Sequence, residues 1–465
     1  MIFILMPIVF IVGIICIALE DKLHINKSAI ALSMCVVLWG LLIVGFQADP
    51  GNSLFSDYLL HHKELASEGS LQQAQSYVSF SLNEHLGDVS GTLFFVLCSM
   101  LLVHTVDKYG GFKEITSYMA TNDKRRLLWY IGLSSFFFSA LLDNLAAAIV
   151  IISIIRKLVP HKTDRMKYAC LAIIACNAGG SWSPIGDVTT LLLWLNGCIS
   201  APSQILHLFL PALVNLLVPL TICHFWLFKK GSTLREEADE LKPNRLKIEL
   251  PGRQRKIVFW IGILSLLLVP IYQIFLGIPA FLGAIIGLIL LWIYTDRMHL
   301  GLKVENANDL KVVNLLHDAD LSTIFYFLGV LMSVAALATG GQLALAAGYL
   351  DSAGAITSSL FVNSSFLAGI FGILSSLVDN VALVAATMGM YPLGYNATMV
   401  ADGSFWMLLA YCAVTGGSLL IIGSATGVTI MGMEEIPFGY YFKRFSGLAL
   451  LGYLAGGLVS MLLLL

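Results

Sequence analysis

The sequence predicts an all-α polytopic membrane protein. It reads as two inverted-topology repeats, each of about five spans with one re-entrant hairpin and one discontinuous helix. Three observations lead there. Of the 465 residues, 58% are hydrophobic and only 12% charged, with a mean hydropathy of +0.84, whereas a soluble chain carries about a quarter charged residues. Apolar runs of ~20 residues recur, long enough to cross a bilayer as helices, while barrel strands would show short alternating patterns. Two motifs also occur twice, in the same order: Asp143-Asn144 with Asp379-Asn380, and Gly179-Gly180-Ser181 with Gly416-Gly417-Ser418.

Ten spans are predicted, near 2–19, 29–46, 89–106, 168–195, 207–228, 257–275, 278–294, 321–338, 404–430 and 445–464. The N-terminal MIFILMPIVF has no basic n-region and no small-residue cleavage site, so it is expected to remain as the first span. Two further apolar segments, 128–155 and 364–391, hold the Asp-Asn pairs. The first is flanked by Lys108, Lys113, Lys124, Arg125 and Arg126 before it, and by Arg156, Lys157, Lys162, Arg165 and Lys167 after it. Basic loops stay cytoplasmic, so both flanks belong on one side and the segment should be a hairpin turning at Asp143-Asn144. About 28 residues give two arms of ~20 Å, enough to reach the midplane and return. The loops around the second segment, Gly340 to Asn363 and Pro392 to Ser404, hold no Lys or Arg, so that hairpin should enter from outside. Under this scheme all but one of the 27 Lys and Arg residues are cytoplasmic. The exception is Lys63 in the acidic outer loop 47–88, and both termini lie outside.

The Asp-Asn pairs are 236 residues apart and the Gly-Gly-Ser motifs 237. Upstream, Thr92 to Leu97 (TLFFVL) resembles Thr323 to Leu328 (TIFYFL), and Gly110-Gly111 resembles Gly340-Gly341. The expected organisation is a first repeat, 1–228, a cytoplasmic linker, 229–256, and a second repeat, 257–465. An odd number of spans per repeat inverts the second, and inverted repeats with a site at their interface mark secondary transporters. The predicted broken helices are 168–195 and 404–430. In the first, two glycines, Pro184 and Gly186 weaken the helix around Asn177 to Gly186. Close packing through small residues is the alternative reading of the glycines, but it explains Pro184 and Asp187 poorly.

Three acids are predicted to lie deep in the membrane: Asp143, Asp187 and Asp379. No Lys or Arg is expected at that depth. An uncompensated carboxylate there costs several kcal/mol. It can take up a proton, because loss of water disfavours its charge, or it can hold a metal cation; a group that alternates between the two exchanges protons for cations. Structural satisfaction by hydroxyls and amides is the alternative. The other candidate ligands are oxygen donors, chiefly Asn144, Asn177, Ser181, Thr189, Asn380, Thr415 and Ser418, with Ser183, Thr190 and Thr426. The predicted Na⁺ site uses Asp143 and Asp379 with oxygens of Asn177 and Ser181. All-oxygen sites of low formal charge suit Na⁺ or Li⁺, while Ca²⁺ would want more carboxylates. His104, His207 and His224 fall at predicted span ends and read as interfacial. The eight cysteines lie mostly in apolar runs without a CxxC pair and read as small buried hydrophobes. With net charge −2 and no basic stripe, a nucleic-acid partner is not expected. No cofactor motif and no HExxH or other catalytic pattern stands out, so an enzyme is not expected.

The segments LLDNLAAAIV (Leu141 to Val150) and NAGGSWSPIGDVTTLLLW (Asn177 to Trp194) resemble the signatures of NhaD-type sodium/proton antiporters, within the ion transporter superfamily. The resemblance covers most of the chain. It implies a homodimer with a scaffold part and a moving transport part, and export of Na⁺ and Li⁺ driven by H⁺ entry across a bacterial inner membrane. Membrane lipid is then the surrounding partner. Related dicarboxylate transporters carry Ser-Asn-Thr at the hairpin tips, where this chain has Leu-Asp-Asn-Leu and Val-Asp-Asn-Val. The rival expectation is a proton- or sodium-coupled carrier of small anions such as arsenite or dicarboxylates, which the acidic tips oppose.

Overall fold

The structure, a computed structural model, describes residues 2–49, 55, 58–59, 69–112, 119, 121–228, 252–301, 312–315, 321–354, 359–421 and 423–465. Lys63 and nearly all of the predicted linker 229–256 lie outside them. The first half runs α1 (Ile2–Ala18), α2 (Glu20–Leu23), α3 (Lys27–Ala48), α4 (Ser70–Lys108), α5 (Lys124–Leu142), α6 (Asn144–Leu158), α7 (Lys162–Ser181), α8 (Val188–Leu195) and α9 (Ala201–Trp226). The second runs α10 (Gly252–Leu276), α11 (Ala280–Gly301), α12 (Val312–Leu315), α13 (Leu321–Thr339), α14 (Gln342–Gly354), α15 (Leu360–Leu374), α16 (Asn380–Met390), α17 (Ser404–Gly416), α18 (Ala425–Glu434), α19 (Phe438–Arg444) and α20 (Ser446–Leu464). Seven of these are long and apolar enough to cross a membrane. With α1 and the two interrupted helices α7/α8 and α17/α18, they account for the ten predicted spans. Large apolar side chains such as Leu206, Phe225 and Phe275 point outward, more than 70% exposed, as lipid contact requires.

Two expectations need correction. The outer loop 47–88 is not all loop, because α4 already begins at Ser70. Its 39 residues span ~58 Å, about twice the hydrocarbon thickness; the polar first half, with Gln72, Gln73, Gln75, Asn83 and Glu84, stabilises helix beyond the apolar part. The segment between α13 and the second hairpin also contains a helix, α14. Both segments predicted as hairpins are interrupted at their Asp-Asn pairs. In the first, a single residue, Asp143, separates α5 from α6; in the second, residues 375–379 separate α15 from α16. The first interrupted helix stays wound through Asn177 to Ser181, and the break is confined to 182–187 around Pro184. A prolyl ring clashes with the preceding turn, whereas the glycines upstream are tolerated because they pack.

The same packing recurs in the two halves. α3 lies on α13 as α11 lies on α4; α5 on α7 as α15 on α17; α1 on α3 as α10 on α11; and α9 packs along α20. Individual bonds recur too. Ser139 Oγ donates to the Cys176 carbonyl at 2.5 Å, and Ser375 Oγ to the Ala413 carbonyl at 2.6 Å. A Cβ on Gly179 would run into the Phe136 carbonyl, and one on Gly416 into the Gly372 carbonyl. The glycine pair is therefore a close backbone crossing between each hairpin and its interrupted helix. Gly110 and Gly341 both take positive φ, 71° and 77°, just after α4 and α13.

Polar contacts near both ends of the interrupted helices tie them to the opposite half. Glu434, whose side chain is 1% exposed, accepts from Arg156 at 2.6 Å and Arg165 at 3.0 Å. Beside it Lys162 pairs with Glu435 and holds that carboxyl below the usual glutamate range. At the other end Asp402 accepts the Ser200 N–H at 2.6 Å and its hydroxyl at 2.9 Å. The crossing predicts opposite signs for two glycine replacements. Gly416→Ala should destabilise the detergent-solubilised protein by about 2–3 kcal/mol through overpacking. Gly348→Ala, in α14 with nothing near a Cβ, should stabilise it by roughly 0.5–1 kcal/mol. Thermal unfolding followed by size-exclusion fluorescence reads both.

Candidate functional site

Four helices start at chain breaks: α6 after Asp143, α8 after Asp187, α16 after Asp379 and α18 after Ser424. Short polar side chains favour such starts because they can accept the free N–H groups of the first turn. Asp187 accepts from the Thr189 N–H at 2.7 Å. Asp379 accepts from Val381 at 2.9 Å and Ala382 at 3.3 Å. Ser424 accepts from Gly427 at 3.3 Å. Asp143 differs: its side chain makes no capping bond, its Oδ1 has no hydrogen-bond partner, and its backbone sits at φ 78°, ψ 146°. That region is strained for a residue with a Cβ and persists only where the surroundings impose it.

All four starts meet at one cavity of about 30 Å³, space for a single small ion or water. The lining comes in pairs related by the repeat: Asp143 with Asp379, Asn144 with Asn380, Leu145 with Val381, Val188 with Ala425 and Val96 with Phe327. Asp187 is the central acceptor. Asn144 Nδ2 donates to its Oδ2, and Asn380 Nδ2 lies 3.3 and 3.4 Å from its two oxygens. The hairpin asparagines from the two halves therefore converge on one carboxylate of the interrupted helix. Asp187 is 2% exposed, Asn144 and Asn380 are buried, and Asp143 and Asp379 are partly buried.

The structure separates the remaining predicted ligands from this cavity. Asn177 bridges the two interrupted helices, donating to Ser418 Oγ at 2.8 Å and meeting Ser424 Oγ at 3.1 Å. Ser181 Oγ turns back to the Ala178 carbonyl and Thr415 Oγ1 to the Tyr411 carbonyl. Neither Asn177 nor Ser181 lines the cavity that holds Asp143 and Asp379. Thr189 and its repeat counterpart Thr426 are fully buried, and their hydroxyls have no hydrogen-bond partner within the protein. Among the described residues no three His, Cys, Asp or Glu side chains form a metal cage, so a cation here must draw on amide, hydroxyl and carbonyl oxygens as well.

Sequence reasoning missed three polar lining residues. Thr323 and Tyr326 come from the repeated block TIFYFL, which was read only as a marker of duplication; the Tyr326 hydroxyl approaches Asp379 without forming a well-aligned hydrogen bond. The third is Lys27, which corrects the expectation that no basic residue reaches the acids. Helix α3 starts at Lys27, two residues before the predicted span, and the long side chain reaches the cavity from there. A second cavity, of about 130 Å³, touches Asp143 from another side and is lined by His104 and Asp107 near the end of α4. His104, near the end of its span as expected from the sequence, also borders this cavity.

The chain has relatives among known proteins. The family model CitMHS, described as a citrate transporter, matches residues 7–402. Sodium/proton antiporters 1 and 2 of Arabidopsis thaliana are 38% and 37% identical to the chain over 451 residues, 97% of its length, and the match covers 71% and 97% of the plant proteins. The Na⁺/H⁺ antiporter NhaD of Vibrio cholerae is 26% identical over 483 residues, covering 98% of this chain and 91% of that protein.

The difference between the two hairpin acids predicts stability changes of opposite sign. Asp143→Gly relieves the positive-φ strain and should stabilise the folded protein by about 1 kcal/mol. Asp379→Ala removes a helix cap and should destabilise it by about 1 kcal/mol. Thermal unfolding in detergent, with ligand-free buffer, measures both.

Proposed function

Because the chain belongs to the CitMHS family of the ion transporter superfamily, we propose that it is a secondary transporter exchanging Na⁺, and Li⁺, for H⁺. The observation that carries this reading is the single cavity with three carboxylates at four helix starts. A site of 30 Å³ excludes a large organic anion in this conformation and admits a small cation. Its relatives over nearly the whole length are named sodium/proton antiporters.

In the proposed cycle Asp143 and Asp379 hold a proton or share a Na⁺, and each occupant displaces the other. Asp143, with an uncommitted oxygen and a strained backbone, is the more exchangeable of the two. Asp187 is held by the two hairpin asparagines and acts as the fixed negative charge that keeps a cation in place. Thr189, Thr426 and the carbonyls of the breaks complete its shell as the site closes, while Asn177 and Ser418 hold the two interrupted helices together. The larger cavity beside Asp143 gives that carboxylate its route to one face, with His104 and Asp107 along it. The recurring packing supports two inverted repeats, 1–228 and 257–465. The hairpins and interrupted helices would form the moving part, in a homodimer within a bacterial inner membrane surrounded by lipid. No catalytic transformation is part of this reading.

A second reading has one observation in its favour. The family description is that of a citrate transporter, and Lys27 offers a cation to an anionic cargo. Three acids against one ammonium make that site strongly unfavourable for an anion.

The test uses everted membrane vesicles with a proton gradient. Added Na⁺ should dissipate ΔpH in the wild type, and Asp143→Asn and Asp379→Asn should each lose at least about a hundredfold in rate, the cost of an uncompensated ion of ~3 kcal/mol. Wild-type exchange in either folded variant, or Na⁺-independent uptake of labelled dicarboxylate by the wild type, would sink the assignment.

A further inference from the structure

We infer that Lys27 is a tethered counter-cation of the ion site, which competes with Na⁺ for the cavity carboxylates and sets how readily the bound ion leaves. The inference rests on the exchange proposed above. It starts from a break in symmetry. Ten of the lining residues form five pairs across the repeat, and the unpaired remainder includes two charged residues: Asp187, whose counterpart is Ser424, and Lys27. One extra acid and one extra base meet in the same small space.

Helix stability does not explain a lysine there. Lys27 is the first residue of α3, where the helix dipole disfavours a cation. The cap is already made by Asn26 Oδ1, which accepts the Ser28 N–H at 2.8 Å. The Lys27 N–H is taken by Glu20 Oε1 at 3.0 Å. What the position does provide is a fixed ammonium: Nζ lies 4.9 Å from the centre of the Tyr326 ring, a face that attracts cations. Lys27 and Tyr326 belong to α3 and α13, which pack on each other, whereas every acid of the cavity belongs to a hairpin or an interrupted helix. The charge is therefore mounted on the wall, and the carboxylates it faces are mounted on the other body. A Na⁺ at Asp379 and the ammonium repel across a cavity this small, so the lysine weakens Na⁺ binding and speeds release. When the ion has gone, the ammonium remains as partner for the carboxylates.

The experiment titrates Na⁺ in everted vesicles at fixed pH, with folding of each variant checked by monodispersity in detergent. Lys27→Gln should lower the half-saturating Na⁺ concentration on the order of tenfold, the scale of one removed charge at a partly hydrated site, and lower the maximal rate as release slows. Lys27→Arg should restore both towards wild type. Tyr326→Leu, which removes the ring that holds the ammonium, should shift half-saturation in the same direction by a smaller factor and serves if Lys27→Gln fails to fold. Half-saturation that stays unchanged or rises in the folded variants overturns the inference, as does Lys27→Arg behaving like Lys27→Gln. If wild-type vesicles show no Na⁺-dependent exchange, the functional reading falls and this one with it; exchange in the wild type with an unmoved Lys27→Gln removes this inference alone.

Discussion

Four helix starts converging on one 30 Å³ cavity is the constraint from which the rest of the site follows. Each start carries a partial positive charge on its free N–H groups. Brought together in a low-dielectric interior, four of them demand negative charge. Here the protein supplies it from the cap positions themselves, as Asp143, Asp187 and Asp379, and only Ser424 is neutral. The breaks that create the starts must in turn be held against hydrocarbon. That task falls to the glycine crossings, to the serine-to-carbonyl bonds of Ser139 and Ser375, and to the Asn177 bridge.

The same constraint reconciles a family described by citrate with relatives named for sodium. Convergent helix starts with neutral tips form a site for an anion. In the proposed reading, acidic tips turn such a site into one for a cation. The switch requires only that the caps change from hydroxyl or amide to carboxylate. The departure at the hairpin tips, Asp where related carriers have a neutral residue, is where the cargo's sign is set in this reading.

Much of this was legible in the sequence because membrane chains are constrained in few, strong ways. Basic residues on both sides of Asp143 suggest a hairpin there, and the recurrence of the Asp-Asn motif points to Asp379 without any structure. Pro184 marked the break, though not its limits, because Gly179 and Gly180 look like helix breakers and are in fact packing residues that need their missing Cβ. The convergence of Asn144 and Asn380 on Asp187 was not legible. It joins residues from both halves, and no local pattern encodes which of three acids will be the shared acceptor. Lys27 was not legible for a related reason: in the sequence it precedes the predicted span by two residues, and side-chain reach is a tertiary property. The polar half of α4 was missed because hydropathy detects lipid contact, not helix.

The placement of hydrogen bonds has a mechanical consequence. Trp39 bonds to the Met332 carbonyl and Ser28 to Ser322 within the wall, and Asn177, Ser375 and Arg165 knit the hairpins and interrupted helices to one another. Where these two sets of helices face each other at the cavity, α4 offers Val96 and Met100 and α13 offers Phe327, with Thr323 and Tyr326 beside it and Lys27 from α3. In the proposed exchange, the aliphatic and aromatic part of that surface can slide with little penalty for intermediate positions. In that reading the arrangement is that of a bearing: stiff on either side and smooth over most of the gap, with the lysine as an electrical contact across it.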